Sequence, residues 1–158
     1  MNTRTEIPEN EPVIVMKRTY EAPRDLVWQA ITDARHVRKW WGGAGVSNPV
    51  CEMDVRPGGL WTHVMRFPDG RELHMSFVFI EVEKPARLAW RSTDSGTVQK
   101  GPPGAAVTVM LEALGSQTEW TMVARFQSFS DREAALAIGF TKPIEASSDR
   151  LVEYLKTM

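Results

Sequence analysis

Cysteine is almost absent: Cys51 stands alone in 158 residues. One cysteine excludes an intrachain disulfide and a thiolate metal cluster, and it suits a reducing compartment. Histidine is nearly as scarce. His36, His63 and His74 are the whole supply, and no HExxH or paired His–carboxylate motif occurs. No metal and no cofactor are therefore expected. Long apolar runs are missing too. No stretch approaches the ~20 residues needed to span a bilayer, and residues 1–12 are polar and acidic, without a signal-peptide core. A cytoplasmic protein with no membrane partner is the expectation. Nor is there an excess of one charge: 19 basic residues face 20 acidic ones, for a net charge of -1. No basic run exceeds two residues, so nucleic acid is not an expected partner.

What is present is an ordinary globular balance, 42% hydrophobic and 25% charged, in a length that suits one domain. Six Trp and eight Met stand against two Tyr. Trp brings large buried area, and Met fills irregular apolar space. That bias fits a plain core, or, on the sharper reading, an adaptable pocket wall.

Residues 1–12 lack periodicity and are predicted to be a flexible arm ahead of one domain over 13–158. The β-branched stretch 13–20 predicts a strand. Leu26, Val27, Ala30 and Ile31 share a helical face over 24–32, and Asp33 is placed to cap a second helix over 34–40. A meander follows. Strands are predicted over 46–55, 60–67, 73–83 and 88–92, then a Gly- and Pro-rich loop over 93–105, then a hairpin over 107–114 and 118–126. Pro68-Asp69-Gly70 is a hairpin turn, because Pro fixes φ and Gly accepts φ > 0. The segment 130–158 reads as helix, with Ser130 and Glu133 as a capping box and Pro143 as a kink or break. Strand, two short helices, several strands and a long last helix make an α+β pattern.

Several blocks then carry a resemblance. They are Ala22-Pro23-Arg24 with Val27-Trp28, Thr32-Asp33 and Trp40-Trp41-Gly42, and then the run from Cys51 to Gly59 with Trp61. Pro68-Asp69-Gly70, Lys84-Pro85-Ala86-Arg87-Leu88, Ser147, Asp149-Arg150-Leu151 and Tyr154-Leu155 continue it. Over roughly residues 13–158 the chain resembles the family of the activator of heat-shock-protein-90 ATPase, within the START-like (SRPBCC) superfamily. The resemblance implies a helix-grip fold, in which an antiparallel sheet curls around the last helix with a cavity between them. It also implies lipid, sterol, hormone or polyketide ligands, with some relatives acting as cyclases or oxygenase subunits. The chain departs from the family in the last helix. Pro143-Ile144 replaces a usual Gly-Trp pair and Ser148 a usual Leu, which implies a cavity of altered size and shape.

Strand alternation assigns faces. Trp61, His63 and Met65 share one, as do Met75, Phe77, Phe79 and Glu81; Trp90, and then Trp120 and Met122, belong to others. With Trp40, Trp41, Phe140, Ile144 and Ser148 they are the expected cavity lining, an apolar surface with few polar groups. His63 is either a ligand donor and general base or a core histidine satisfied by its neighbours. Glu81 is either a carboxylate in an apolar site, with a raised pKa, or a strand-end group that sits in solvent or pairs with Arg87. Cys51 reads as a small core residue rather than a nucleophile. Asp54 to Gly59 lacks the Lys-Ser/Thr ending of a phosphate loop, and no nucleophile elbow is present.

The leading expectation is binding of a small hydrophobic ligand between sheet and helix. A cyclase- or hydrolase-type enzyme using the same cavity is the alternative, weakened by the lack of two mutually supporting titratable groups. A chaperone-associated protein-binding role is the third; a 12-residue arm cannot replace the separate N-terminal domain of the chaperone activator, although chaperone binding itself stays open. Val78, Ile80 and Val82 give the longest strand an apolar second face, which leaves a homodimer open as well.

Overall fold

A computed structural model of the chain describes residues 3–93 and 105–158. In chain order it holds β1 (Arg4–Glu6), β2 (Val13–Tyr20), α1 (Arg24–Thr32), α2 (Ala34–Trp40), β3 (Ser47–Met53), β4 (Leu60–Arg66), β5 (Glu72–Glu83) and β6 (Arg87–Ser92). Then come β7 (Ala106–Leu114), β8 (Gln117–Arg125), α3 (Phe129–Ala137) and α4 (Thr141–Leu155). The eight strands form one antiparallel sheet in the order β1-β2-β8-β7-β6-β5-β4-β3. The sheet curves around α4, and the fold is the α+β helix-grip. Of the loop expected over 93–105, residues 94–104 lie outside the described residues.

Local chemistry explains the boundaries. Pro23 sits at the N-cap of α1 with φ -67, a value its ring imposes. Asp33 caps α2, its carboxylate accepting from the Arg35 N–H at 2.9 Å. Arg38 and Lys39 fall in the last turn of α2, where the helix dipole favours cations. The turn before β4 admits only glycine at position 59. A Cβ there would stand 1.9 Å from the Asp54 carbonyl oxygen.

Three expectations are corrected. The N-terminal arm is not free along its length: Arg4–Glu6 pairs with β2, and the Pro8 and Glu11 carbonyls accept from the buried Arg132 guanidinium. The cap of α3 is Ser128 rather than Ser130, accepting from the Asp131 N–H at 3.0 Å, because Phe129 and Ser130 are already helical. The break before α4 falls at Gly139 rather than Pro143. Gly139 has φ +82, and the Gly139 and Phe140 N–H groups return to the Leu136 and Ala135 carbonyls, a Schellman closure. Pro143 then lies in the first turn of α4, where a missing N–H forfeits no bond within the helix.

β5 also departs from the expected alternation. The pairing of β5 with β6 shifts by one residue between Phe79 and Glu81. The extra residue, Ile80, breaks the period of two. Glu81 therefore pairs with Ala89 on the outer face instead of joining Phe77 and Phe79, and Val82 pairs with Leu88 and turns into the core. Glu81 accepts from Arg87 Nε at 2.8 Å, with both side chains partly exposed. We expect Glu81→Gln to change stability by less than about 1 kcal/mol, as for other surface pairs. Binding of any apolar ligand should be unchanged, and a thermal melt with a dye titration checks both.

Candidate functional site

The inner face of the sheet is organised around Trp61. Its ring, 2% exposed, is met by Phe77 at 4.7 Å, Trp41 at 5.1 Å, Trp90 at 5.3 Å and Phe79 at 6.0 Å between centroids. Register places these residues together: Trp61 pairs with Phe77 across β4 and β5, and Phe79 with Trp90 across β5 and β6. Where the sequence suggests the walls of a hollow, these rings pack on one another. Trp61 and Phe79 are buried, whereas Trp41, Phe77 and Trp90 keep part of their surface accessible. Met75, beside His63 in the register, is also half-buried. From α4, Ile144 packs half-buried against the core, and Phe140, at its N-cap, meets Phe126 edge to face at 5.5 Å.

The other expected lining residues are core. Met65, Trp120 and Met122 are buried. Trp40 is buried with its Nε1 donating to the Ala30 carbonyl at 3.0 Å, which fixes α2 against α1. Ser148, on the buried face of α4, hydrogen-bonds the Tyr20 hydroxyl. Burial pushes the Tyr20 phenol up to about 12, with that hydrogen bond opposing the shift.

His63 is fully buried, and both ring nitrogens are engaged. The Trp61 indole donates to Nδ1 at 3.2 Å, and Nε2 lies 2.8 Å from the Asn48 side-chain oxygen. An indole N–H only donates, so Nδ1 is the acceptor and the proton sits on Nε2, donating to Asn48. Asn48 passes the link on, its amide donating to the Arg38 and Trp41 carbonyls at 3.0 Å each. Burial, aided by the Arg38 charge, pushes the imidazole down to about 4. It is a neutral structural group with no free nitrogen for a substrate, so the general-base reading is set aside. The chain Trp61–His63–Asn48 instead holds Trp41 over the inner face, 5.3 Å from the His63 ring.

The last-helix residues that carried the resemblance prove to be fasteners. Ser147 Oγ accepts from the Gly42 N–H at 2.8 Å and donates to the Pro143 carbonyl at 2.8 Å. Arg150 Nη1 donates to the carbonyls of Gly43 at 3.1 Å and Val46 at 3.0 Å. Leu151 is buried in the core. Gly42 tolerates no side chain, since a Cβ there would lie 2.7 Å from Val46 and its φ is +82. These contacts bind α4 to the loop that presents Trp41.

A separate surface hollow of about 380 Å³ lies between α2 and β3, lined by Ala34, Arg35, Arg38, Lys39 and Cys51. None of the expected lining residues borders it. Burial pushes the Cys51 thiol up to about 11, which leaves no thiolate for nucleophilic chemistry. Among the described residues no group of three or more His, Cys, Asp or Glu could hold a metal ion, and no helix is long and apolar enough to cross a membrane.

An antiparallel sheet gripping a terminal helix, with aromatic side chains half-open on its inner face, defines a helix-grip domain of the START-like class. Within it, residues 21–156 match the model of the family described as activator of Hsp90 ATPase homolog 1-like protein, and the chain belongs to that family. Solved structures share the architecture. A protein of Nitrosomonas europaea is 28% identical, with 96% of this chain and 97% of that one covered and a TM-score of 0.84. A protein of Rhodobacter sphaeroides, 20% identical, matches over 100% of both chains with a TM-score of 0.88. One of Mycobacterium smegmatis, 20% identical, covers 99% of both at 0.85. No curated protein matches the chain.

Proposed function

We propose that the domain binds a small hydrophobic molecule on the inner face between the sheet and α4. The observation that carries this reading is the incomplete burial of Trp41, Phe77 and Trp90 around the sealed Trp61. Large aromatic surfaces held rigidly but left half-open gain free energy when a ligand removes the remaining area from water, at about 25 cal/mol per Å². The family supports the reading, because its fold is a ligand-binding one. Binding without chemistry is favoured over a cyclase or hydrolase, since His63 has no free nitrogen and Glu81 faces outward beside Arg87.

Titration with the neutral apolar dye N-phenylnaphthylamine tests this, read by dye emission and by quenching of tryptophan fluorescence. The native chain should bind one dye saturably. Phe77→Ala should weaken binding about tenfold or more, because it removes a wall while leaving Trp61 in place. Absence of saturable binding by the native chain would refute the reading.

A further inference from the structure

The inner face carries one charged residue that its surroundings do not satisfy. Ile14, Met16, Arg18 and Tyr20 alternate along β2 toward the core, and Arg18 is only 6% exposed. Its Nη1 donates to Asp149 Oδ1 on α4 at 2.6 Å and lies 3.3 Å from the Thr3 hydroxyl. Its Nε is buried and has no hydrogen-bond acceptor among the described residues. Leaving a buried donor of a charged group unpaired is costly, so native proteins rarely tolerate it. The guanidinium is a planar fork. Asp149 takes one prong, while the Nε–Nη2 edge, the side suited to two parallel bonds with a carboxylate, makes no bond to the described residues.

The surroundings of that edge are mixed in character. The Arg18 guanidinium carbon lies 5.8 Å from the Tyr20 ring, which stands edge-on to Trp120 at 6.4 Å. Trp120 is Arg18's partner on β8, Met122 is the partner of Met16, and Ser148 of α4 bonds Tyr20 on the same strand as Arg18. A cation beside an oily floor with flexible Met walls suits an amphipathic anion. β2 is separated from Trp90 on β6 by three strand spacings, about 14 Å along the sheet, so a molecule touching both must be extended.

We infer that the ligand is an apolar carboxylic acid whose carboxylate docks on the Nε–Nη2 edge of Arg18 and whose chain runs along the inner face toward Trp90 and Phe77. The inference rests on the hydrophobic-binding reading above and names its substrate class. Asp149, 68% exposed, holds the guanidinium in place from the solvent side. Met16 and Met122 are packed core residues, so the chain enters by displacing these flexible side chains rather than by filling a preformed hollow.

Dodecanoate and dodecanol provide the test, because they share the chain and differ in the head. Competition of each against N-phenylnaphthylamine on the full chain gives both dissociation constants. Dodecanoate should bind at least about tenfold more tightly than dodecanol. Arg18→Met should bring that ratio close to one while keeping dodecanol affinity, and Arg18→Lys should fall between, since an ammonium offers charge without the fork. A measurement on the native chain keeps the test independent of variant folding. The Arg18 Nε–H resonance in a nitrogen-15 NMR spectrum should move on adding dodecanoate and stay fixed on adding dodecanol. Equal affinities for the two probes, or an unmoved Nε–H signal at saturation, would overturn the carboxylate assignment while leaving apolar binding intact. Failure of both probes to bind would overturn both.

Discussion

Replacing Trp61 by alanine should remove about 3–5 kcal/mol of stability, the range for deleting a buried aromatic side chain. For a chain of 158 residues that corresponds to a fall in Tm of roughly 10 °C or more. The reason is the number of partners lost together. Four aromatic rings lean on Trp61, and its indole N–H is the donor that holds His63 Nδ1. Alanine leaves a cavity and also strips a buried nitrogen of its donor. Apolar dye binding should vanish with it, because Trp41, Phe77 and Trp90 lose the surface that holds them apart. A chemical-denaturation curve for the variant checks the prediction. A loss below about 1 kcal/mol would mean that Trp61 is not the centre of the inner face.

The second large effect is a pH dependence traced to His63. Its native pKa, about 4, lies below the ordinary 6.5, so the unfolded chain takes up the proton first as pH falls. The contribution is therefore complete above about pH 6.5 and is lost progressively down to about pH 4, where the native state also titrates. At about 1.4 kcal/mol per unit, the loss approaches 3 kcal/mol. Protonation has a structural meaning as well. A proton on Nδ1 would oppose the Trp61 N–H and break the link between Trp61 and His63, while Nε2 keeps its bond to Asn48. Stability of the native chain measured by denaturant between pH 7 and 4.5 should slope downward more steeply than that of His63→Gln. Asp69 and Glu72 are held below the carboxylate range by Arg71 and Arg66, so their stabilisation is lost only at more acidic pH. Identical slopes in the two proteins would remove His63 from the account.

Much of the frame was legible because it is written in local chemistry. Pro23, Asp33 and the Pro68-Asp69-Gly70 turn act through their own backbone or their nearest neighbours, and the elements they bound lie where the residues imply. Trp61, Phe77 and Trp90 were legible as a group because alternation holds through β4 and the first part of β5. What alternation could not show is where it fails. Ile80 carries no Gly or Pro to announce a bulge, and one added residue sent Glu81 outward and Val82 inward. The partner of His63 was hidden for a different reason. Asn48 is 15 residues away, and the pair meets only once β3 and β4 are in register and α2 has packed over them. Ser148 suggested a cavity of altered size and shape, yet its hydroxyl bonds Tyr20, a contact between residues far apart in sequence. Arg18 was the signal overlooked. A charge in step with Ile14, Met16 and Tyr20 on a strand is visible in the residues alone, and its burial is what singles it out.

The half-open rings also bear on association between chains. Leu60 and Ile80 are exposed and Val78 half-buried on the outer face of β4 and β5, but Val82, the third apolar residue expected there, has turned into the core. The outer apolar strip is therefore shorter than alternation implies, whereas Trp41, Phe77 and Trp90 on the inner face each keep part of their surface accessible.

Native mass spectrometry of freshly purified chain tests the central claim most directly. A 17.8 kDa protein should carry a population with one added small-molecule mass that is released by collisional activation and partitions into organic solvent on extraction. A bare protein that also takes up no apolar compound when incubated with a lipid extract would contradict binding on the inner face.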